Sequence, residues 1–294
     1  MAAKKDCLWT ILGVLEWTGD FFRQKGIERG RFEAERLLAH VIGCERLDLY
    51  LNFDQPLSPA ELSAFRQLVT ARAKREPLQY LTGFQEFWSL PFEVGPDVLV
   101  PRPDSERLIE ILLETTKSQD RGKILDLGTG SGALAVAASS ELPDFSVYAS
   151  DLSRAAVRTA SANAEKLEKR VSFAVGNWLE MFQPGSFDFI ISNPPYIRTG
   201  DFDNLMPEVR NHEPRLALDG GADGLECYRK IIRDAPGYLK PAGVLLLEIG
   251  CDQAVEIKGL FQQSSLWKEC IIYQDYAKND RVATAKLREV NDGF

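Results

Sequence analysis

Histidine is nearly absent from this chain. His40 and His212 are the only two in 294 residues. Neither has a serine or cysteine motif beside it, so nucleophilic catalysis by an imidazole-activated residue finds no support. Cysteine is also sparse. The five (Cys7, Cys44, Cys227, Cys251 and Cys270) are scattered, odd in number and contain no C-x-x-C pair. That argues for free thiols in a reducing compartment and against a zinc site, and no metal is expected. No apolar run approaches the length needed to span a bilayer, and Leu8–Leu15 is too short and interrupted for an export signal. Positive charge is in deficit: 35 Lys and Arg stand against 43 Asp and Glu, a net charge of −8. There is no basic stripe, so a broad nucleic-acid or anionic-membrane surface is not expected. A cytoplasmic protein, a monomer with no membrane contact, is the expectation.

What remains is an ordinary globular composition, 45% hydrophobic and 27% charged. Up to residue 76 the pattern is helical. Leu8, Ile11, Leu12 and Leu15 recur at helical spacing, and so do Phe32, Leu37, Leu38 and Val41. Ser58-Pro59-Ala60-Glu61 is a capping box with proline at the first helical position. Residues 1–76 are therefore expected to form a small helical domain. Residues 77–100, with Phe84, Phe87, Trp88, Leu90, Phe92 and Val94 among Gly and Pro, suggest a hairpin linker. Its aromatics either fill the core or wall a cleft.

From residue 101 to 294 strands and helices alternate, which predicts a mostly parallel, doubly wound sheet. Asp104 or Ser105 is expected to cap the first helix. Strands are expected at Lys123–Leu127, Ser146–Ser150, Val171–Val175, Phe187–Ser192 and Val244–Ile249. Helices are expected at Gly132–Ser140, Ser153–Leu167 and Tyr228–Leu239, with Pro241-Ala242-Gly243 as a turn. Trp267–Tyr273 and Arg281–Leu287 lack an intervening helix and should pair antiparallel.

Two loops carry the chemistry. Asp126-Leu127-Gly128-Thr129-Gly130-Ser131-Gly132 follows a strand and opens a helix, so its backbone can approach a ligand. By itself this loop suits S-adenosylmethionine, a dinucleotide or no ligand at all. Asp126 shifts the balance towards S-adenosylmethionine, because a carboxylate there can face a cationic amino-acid moiety but would repel a pyrophosphate. Asp151 can accept ribose hydroxyls or cap the next helix. Trp178 can cover an adenine or simply fill the core.

The second loop is Asn193-Pro194-Pro195-Tyr196, directly after an apolar strand. Two prolines forbid continuation of sheet or helix. The break offers an amide, backbone carbonyls with no competing N–H, and an aromatic ring. This set suits a flat amide or amino-aromatic nitrogen.

From about residue 77 to 285 the chain resembles the HemK/PrmC protein-(glutamine-N5) methyltransferases. The resemblance rests on Pro101-Arg102-Pro103-Asp104-Ser105-Glu106, the glycine loop, Asn193 to Tyr196, Glu213-Pro214-Arg215-Leu216-Ala217-Leu218-Asp219-Gly220-Gly221, and Asp275-Tyr276 with Asn279-Asp280-Arg281-Val282. It implies a class I (Rossmann-like) seven-stranded methyltransferase sheet with a small N-terminal helical domain, residues 1–76, that binds a partner or substrate. The implied cofactor is S-adenosylmethionine, leaving as S-adenosylhomocysteine. The implied partner is a peptide chain release factor, whose Gly-Gly-Gln loop supplies the acceptor glutamine. Position by position, Asp126, Gly128, Thr129, Gly130, Ser131, Gly132, Asp151, Trp178 and Asn193 would bind the cofactor. Asn193, Pro194, Pro195 and Tyr196 would hold the glutamine, with Asn193, Pro194 and Tyr196 catalytic. Where the family often has an acidic residue this chain has Asn177. Arg215 and Asp219 are expected to brace the loop after Tyr196. The tetrapeptide is shared with amino-group methyltransferases of DNA and RNA, which is the alternative function.

Overall fold

The computed structural model describes residues 9–116 and 121–289. They form two compact units. One comprises the chain up to Gly83 together with Pro207–His212, and the other runs from Phe84 to Met206 and from Glu213 onward.

The helical unit is built from α1 (Ile11–Gln24), α2 (Gly30–Ile42), α3 (Arg46–Leu51), α4 (Pro59–Ala73) and α5 (Leu78–Thr82). Thr10 caps α1 through its side chain. Ser58 and Glu61 close a reciprocal capping box at the start of α4, so both orphan donors are satisfied. Leu15, Phe22, Leu37, Leu38 and Phe65 form the centre of the core. The helix α9 (Pro207–His212) is fastened to this unit by charge. Buried Arg72 bonds Glu33 and, at 2.8 Å, Glu208, while Arg75 reaches the other Glu208 oxygen at 3.0 Å. Leu78–Thr82, expected within the hairpin segment, is helical instead.

The second unit begins with the hairpin β1 (Phe84–Phe87) and β2 (Leu90–Glu93). Trp88 and Ser89 both take left-handed backbone in its two-residue turn. Phe87 and Phe92 are fully buried in the main core and serve packing, with Trp88 partly buried against it, while Phe84 is exposed. The chain continues through α6 (Glu106–Thr116), β3 (Lys123–Leu127), α7 (Ala133–Glu141), β4 (Ser146–Asp151), α8 (Arg154–Lys166), β5 (Val171–Val175) and β6 (Phe187–Ser192). Then come α10 (Glu226–Asp234), β7 (Leu239–Glu248), α11 (Ala254–Gln262), β8 (Ile271–Gln274) and β9 (Asp280–Lys286).

The seven strands β3–β9 lie in the order β5-β4-β3-β6-β7-β9-β8. All neighbours are parallel except those of β9, which runs antiparallel to β7 and β8. The sheet is covered by separate apolar clusters, which is why its inner strands are rich in Leu, Ile, Val and Phe. The direction of strand addition reverses at β3, between β4 and β6. Ligands of open α/β sheets bind at the carboxyl ends beside such a reversal.

Four local expectations need correction. Neither Asp104 nor Ser105 caps α6; both lie in a 3-10 turn, Pro103–Ser105, that leads into it. Pro241-Ala242-Gly243 falls inside β7 as a register irregularity opposite Phe187–Phe189. The helix expected to reach Leu239 ends at Asp234, where Pro236 cannot continue it. Trp267 makes only an isolated bridge to Leu287, and the strand starts at Ile271. Among the described residues no helix is long and apolar enough to cross a membrane.

Candidate active site

The glycine turn leaves the end of β3. The N–H groups of Gly128 and Thr129 both donate to the Ser150 carbonyl at 2.9 Å, which ties the turn to β4. Gly128, Gly130 and Gly132 all have positive φ. A Cβ on Gly128 or Gly130 would meet nothing within 4 Å, whereas one on Gly132 would lie 3.0 Å from the Ala160 Cβ on α8. The first two keep a cavity open, and the third allows two helices to touch. Asp126 sits beneath the turn and is 0% exposed. Its Oδ2 accepts from the Thr129 hydroxyl at 2.6 Å, and Oδ1 has no hydrogen-bond partner among the described residues. Burial pushes this carboxyl up to about 7, and the Asp151 charge adds to the rise.

Asp151 ends β4 with both oxygens engaged. Oδ2 accepts from Gly130 N–H at 2.9 Å and Oδ1 from Ser153 N–H at 2.8 Å. Ser153, not Asp151, caps α8, through its own hydroxyl. Trp178 is half-buried with φ at 52°, a strained conformation for a bulky residue. Asn177 spends its amide donor on Glu180 at 2.7 Å.

Beside β3, the end of β6 delivers the tetrapeptide. The Ser192 hydroxyl donates to the Leu127 carbonyl at 2.7 Å, so the two loops are joined at their roots. Asn193 Nδ2 donates to Ser105 Oγ at 3.2 Å. Pro194 is buried. The Tyr196 carbonyl accepts from Gln253 Nε2 at 3.2 Å, and burial pushes its phenol up to about 12. Beyond it, Ile197 bridges Asp219. Asp219 receives the Thr199 hydroxyl at 2.7 Å and Arg215 Nε at 3.1 Å, so Arg215 and Asp219 do brace this loop.

One cavity gathers these parts. Its wall includes Gly128, Gly130, Asp151, Trp178, Asn193 and Pro195, together with Asp97, Leu99, Leu216, Ala217 and Asp219. Three carboxylates line it and no lysine or arginine does. Asp126, Thr129, Ser131 and Gly132 support the turn from behind. Ser131 is buried, and its carbonyl accepts from Asn163 at 2.9 Å. Tyr196 packs on the core under α10 and α11. His40 lies exposed on α2 and His212 ends α9, both in the helical unit.

The sequence reasoning overlooked Ser105 and Glu248. Glu248 is 1% exposed at the end of β7, with the Ser105 hydroxyl and the Asn193 side chain as hydrogen-bonding neighbours. Burial pushes its carboxyl up to about 7. An acidic residue within the apolar run Val244–Ile249 was the available signal, because an unpaired charge there is costly.

Residues 13–83 match the family described as PrmC N-terminal domain, and residues 107–211 match the Methyltransferase small domain. A release factor glutamine methyltransferase of Geobacter sulfurreducens is 45% identical over 97% of this chain and 99% of its own length. The chain belongs to the release factor glutamine methyltransferase family. Another release factor glutamine methyltransferase, from Rhodopirellula baltica, is 40% identical over 94% of this chain and 96% of its own length. A solved methyltransferase of Pyrococcus furiosus covers 68% of this chain and 90% of its own, with a TM-score of 0.52 and 21% identity. At that identity the likeness shows the class I methyltransferase fold alone.

Proposed function

We propose that this family member transfers a methyl group from S-adenosylmethionine to the side-chain nitrogen of the glutamine in the Gly-Gly-Gln loop of a release factor. The observation that carries this is the cavity wall, where an open glycine turn, three carboxylates and Asn193 meet without any cationic side chain. A pyrophosphate would be repelled by such a wall. A ligand with a sulfonium and an ammonium suits it. Gly128 and Gly130 would take the amino-acid part, Asp151 the ribose and Trp178 the adenine. Asp126 supports the turn without touching the ligand.

S-adenosylmethionine supplies the electrophile, a methyl carbon on a positively charged sulfur. The chain's task is to present a poor nucleophile, since the amide lone pair is delocalised into its carbonyl. Asn193 Oδ1 and the Pro194 carbonyl accept the two N–H bonds of the acceptor and aim its nitrogen. As that nitrogen takes the methyl group the carbon–sulfur bond breaks, S-adenosylhomocysteine leaves and one N–H proton passes to solvent. Positioning of this kind accounts for about 7 kcal/mol or more of barrier in favourable cases. Neutral acceptors suit the step, because positive charge disperses as the methyl moves and a touching carboxylate would favour the starting state. Pro195 and Tyr196 fix the loop that carries both acceptors.

The test mixes the protein with labelled S-adenosylmethionine and a release factor, either wild type or with its loop glutamine replaced. Label on the wild-type factor alone is the expected result. Label that persists after the replacement rejects the acceptor. Steeply salt-dependent transfer to RNA or DNA would favour the amino-methyltransferase alternative.

A further inference from the structure

Glu248 is a buried carboxylate that the transfer step does not use. Its position follows from strand register. Ser192, the last residue of β6, pairs with Leu247 on β7, so Asn193 just past that strand end falls beside Glu248, the last residue of β7. Its backbone carbonyl is held by the Tyr228 hydroxyl at 2.8 Å. Its Oε2 has no hydrogen-bond partner among the described residues. Ser105, itself buried, arrives from the Pro101-Arg102-Pro103 segment and accepts from Asn193 Nδ2 at 3.2 Å.

A carboxamide has two ends of nearly equal shape and opposite chemistry. With Oδ1 towards the acceptor, Asn193 can receive an N–H from a substrate amide. Turned by half a rotation it would set donor against donor. Above about pH 7, where Glu248 is ionised, its carboxylate only accepts, so it tolerates Nδ2 beside it and repels Oδ1. A serine hydroxyl that gives its proton to that carboxylate offers only lone pairs to Asn193. Both neighbours therefore select the same end of the amide.

We propose that Glu248 and Ser105 are positioning residues that lock the Asn193 side chain with Nδ2 inward, leaving Oδ1 for the substrate nitrogen. The proposal rests on the acceptor-holding role given to Asn193 above. It predicts a specific failure in E248Q. A glutamine can offer either end of its own amide, so it no longer discriminates between the two orientations of Asn193.

The variants are E248Q, S105A and S105T. E248Q and S105A are expected to lower kcat about 10- to 100-fold. KM for the release factor and the S-adenosylmethionine dissociation constant should stay within about twofold of wild type. S105T keeps the hydroxyl and should recover most of kcat. A second readout needs no turnover. In protein carrying 15N-asparagine, with the Asn193 signals assigned by their loss in N193A, the two Nδ2 protons should exchange slowly in wild type and faster in E248Q. Unchanged kcat and unchanged exchange in E248Q overturn the lock. So does a loss of donor binding that parallels the loss of kcat. A wild-type protein that fails to methylate any release factor rejects the proposed function, while the exchange experiment still decides the lock.

Discussion

A single guanidinium nitrogen of Arg102, Nη2, lies 2.6 Å from Oε1 and 2.8 Å from Oε2 of Glu213. The pair joins positions 111 residues apart, the Pro-Arg-Pro segment and the Glu-Pro-Arg segment. Glu213 is 2% exposed at its side chain, and burial holds its carboxyl above the usual range despite the arginine. Without Arg102 a buried carboxylate would lose its counter-charge. R102M is therefore expected to destabilise the protein by about 2 kcal/mol. The double variant R102M/E213Q should recover part of that loss, because it removes the stranded charge. Urea unfolding of the single and double variants measures both. Equal stability of R102M and wild type would mean that the pair is solvated and idle.

N193A should lose most transferase activity and keep S-adenosylmethionine binding. In the proposed role its Oδ1 would accept from the substrate nitrogen while Nδ2 stays on Ser105, and most of the donor contacts would come from Gly128, Gly130, Asp151 and Trp178. Single-turnover kinetics beside calorimetric titration of the donor separates the two effects. Near-normal turnover in N193A refutes the assigned role.

Asp126 and Glu248 give the unliganded protein a defined pH response. Both carboxyls are buried and both are pushed up to about 7. Between about pH 4, where free carboxyls titrate, and pH 7 the folded chain therefore holds more protons than the unfolded chain. Their contribution to stability is complete at the acid end of this window. It is lost as the pH rises through about 7, on the order of 1 kcal/mol per pH unit for each group. The charges that face them are Asp151 for Asp126, and Arg281 and Asp104 for Glu248. D126N removes one of the two titrations, so its melting temperature should fall less steeply than that of wild type from pH 5 to 8. Parallel melting curves across that range would show that Asp126 does not titrate there.

The outline of the sheet was legible because its inner strands are largely buried on both faces. Phe187–Ser192 is a strongly apolar run, interrupted only by Asp188 before its closing serine, and two prolines follow its end. Local chemistry also named the start of α4, where Ser58 and Glu61 satisfy each other across one turn. What could not be read were relations set by register and tertiary packing. Ser105 has the composition of a helix cap, yet its hydroxyl is taken by Asn193, 88 residues away. Asp126 was expected to face a cation, but the turn folds over it and Thr129 takes its oxygen. Glu248 becomes meaningful only once β6 and β7 are aligned.

Two alanine substitutions in one turn should fail in different ways. Gly128 and Gly132 both have φ in the left-handed region, at 72° and 85°, so either change carries a backbone penalty of about 1–2 kcal/mol. Their surroundings differ. A Cβ on Gly128 enters open space at the cavity wall, the place where the proposed donor would lie against the backbone. A Cβ on Gly132 runs into Ala160 at 3.0 Å, where neither α7 nor α8 can yield without a shift. G128A should thus fold with modest destabilisation and bind S-adenosylmethionine at least about tenfold more weakly, the equivalent of about 1.4 kcal/mol. G132A should lose clearly more stability, with the melting temperature falling further than in G128A. Thermal unfolding and donor titration of the two proteins side by side give the comparison. If G128A bound the donor as tightly as wild type, the glycine turn would not be its cradle.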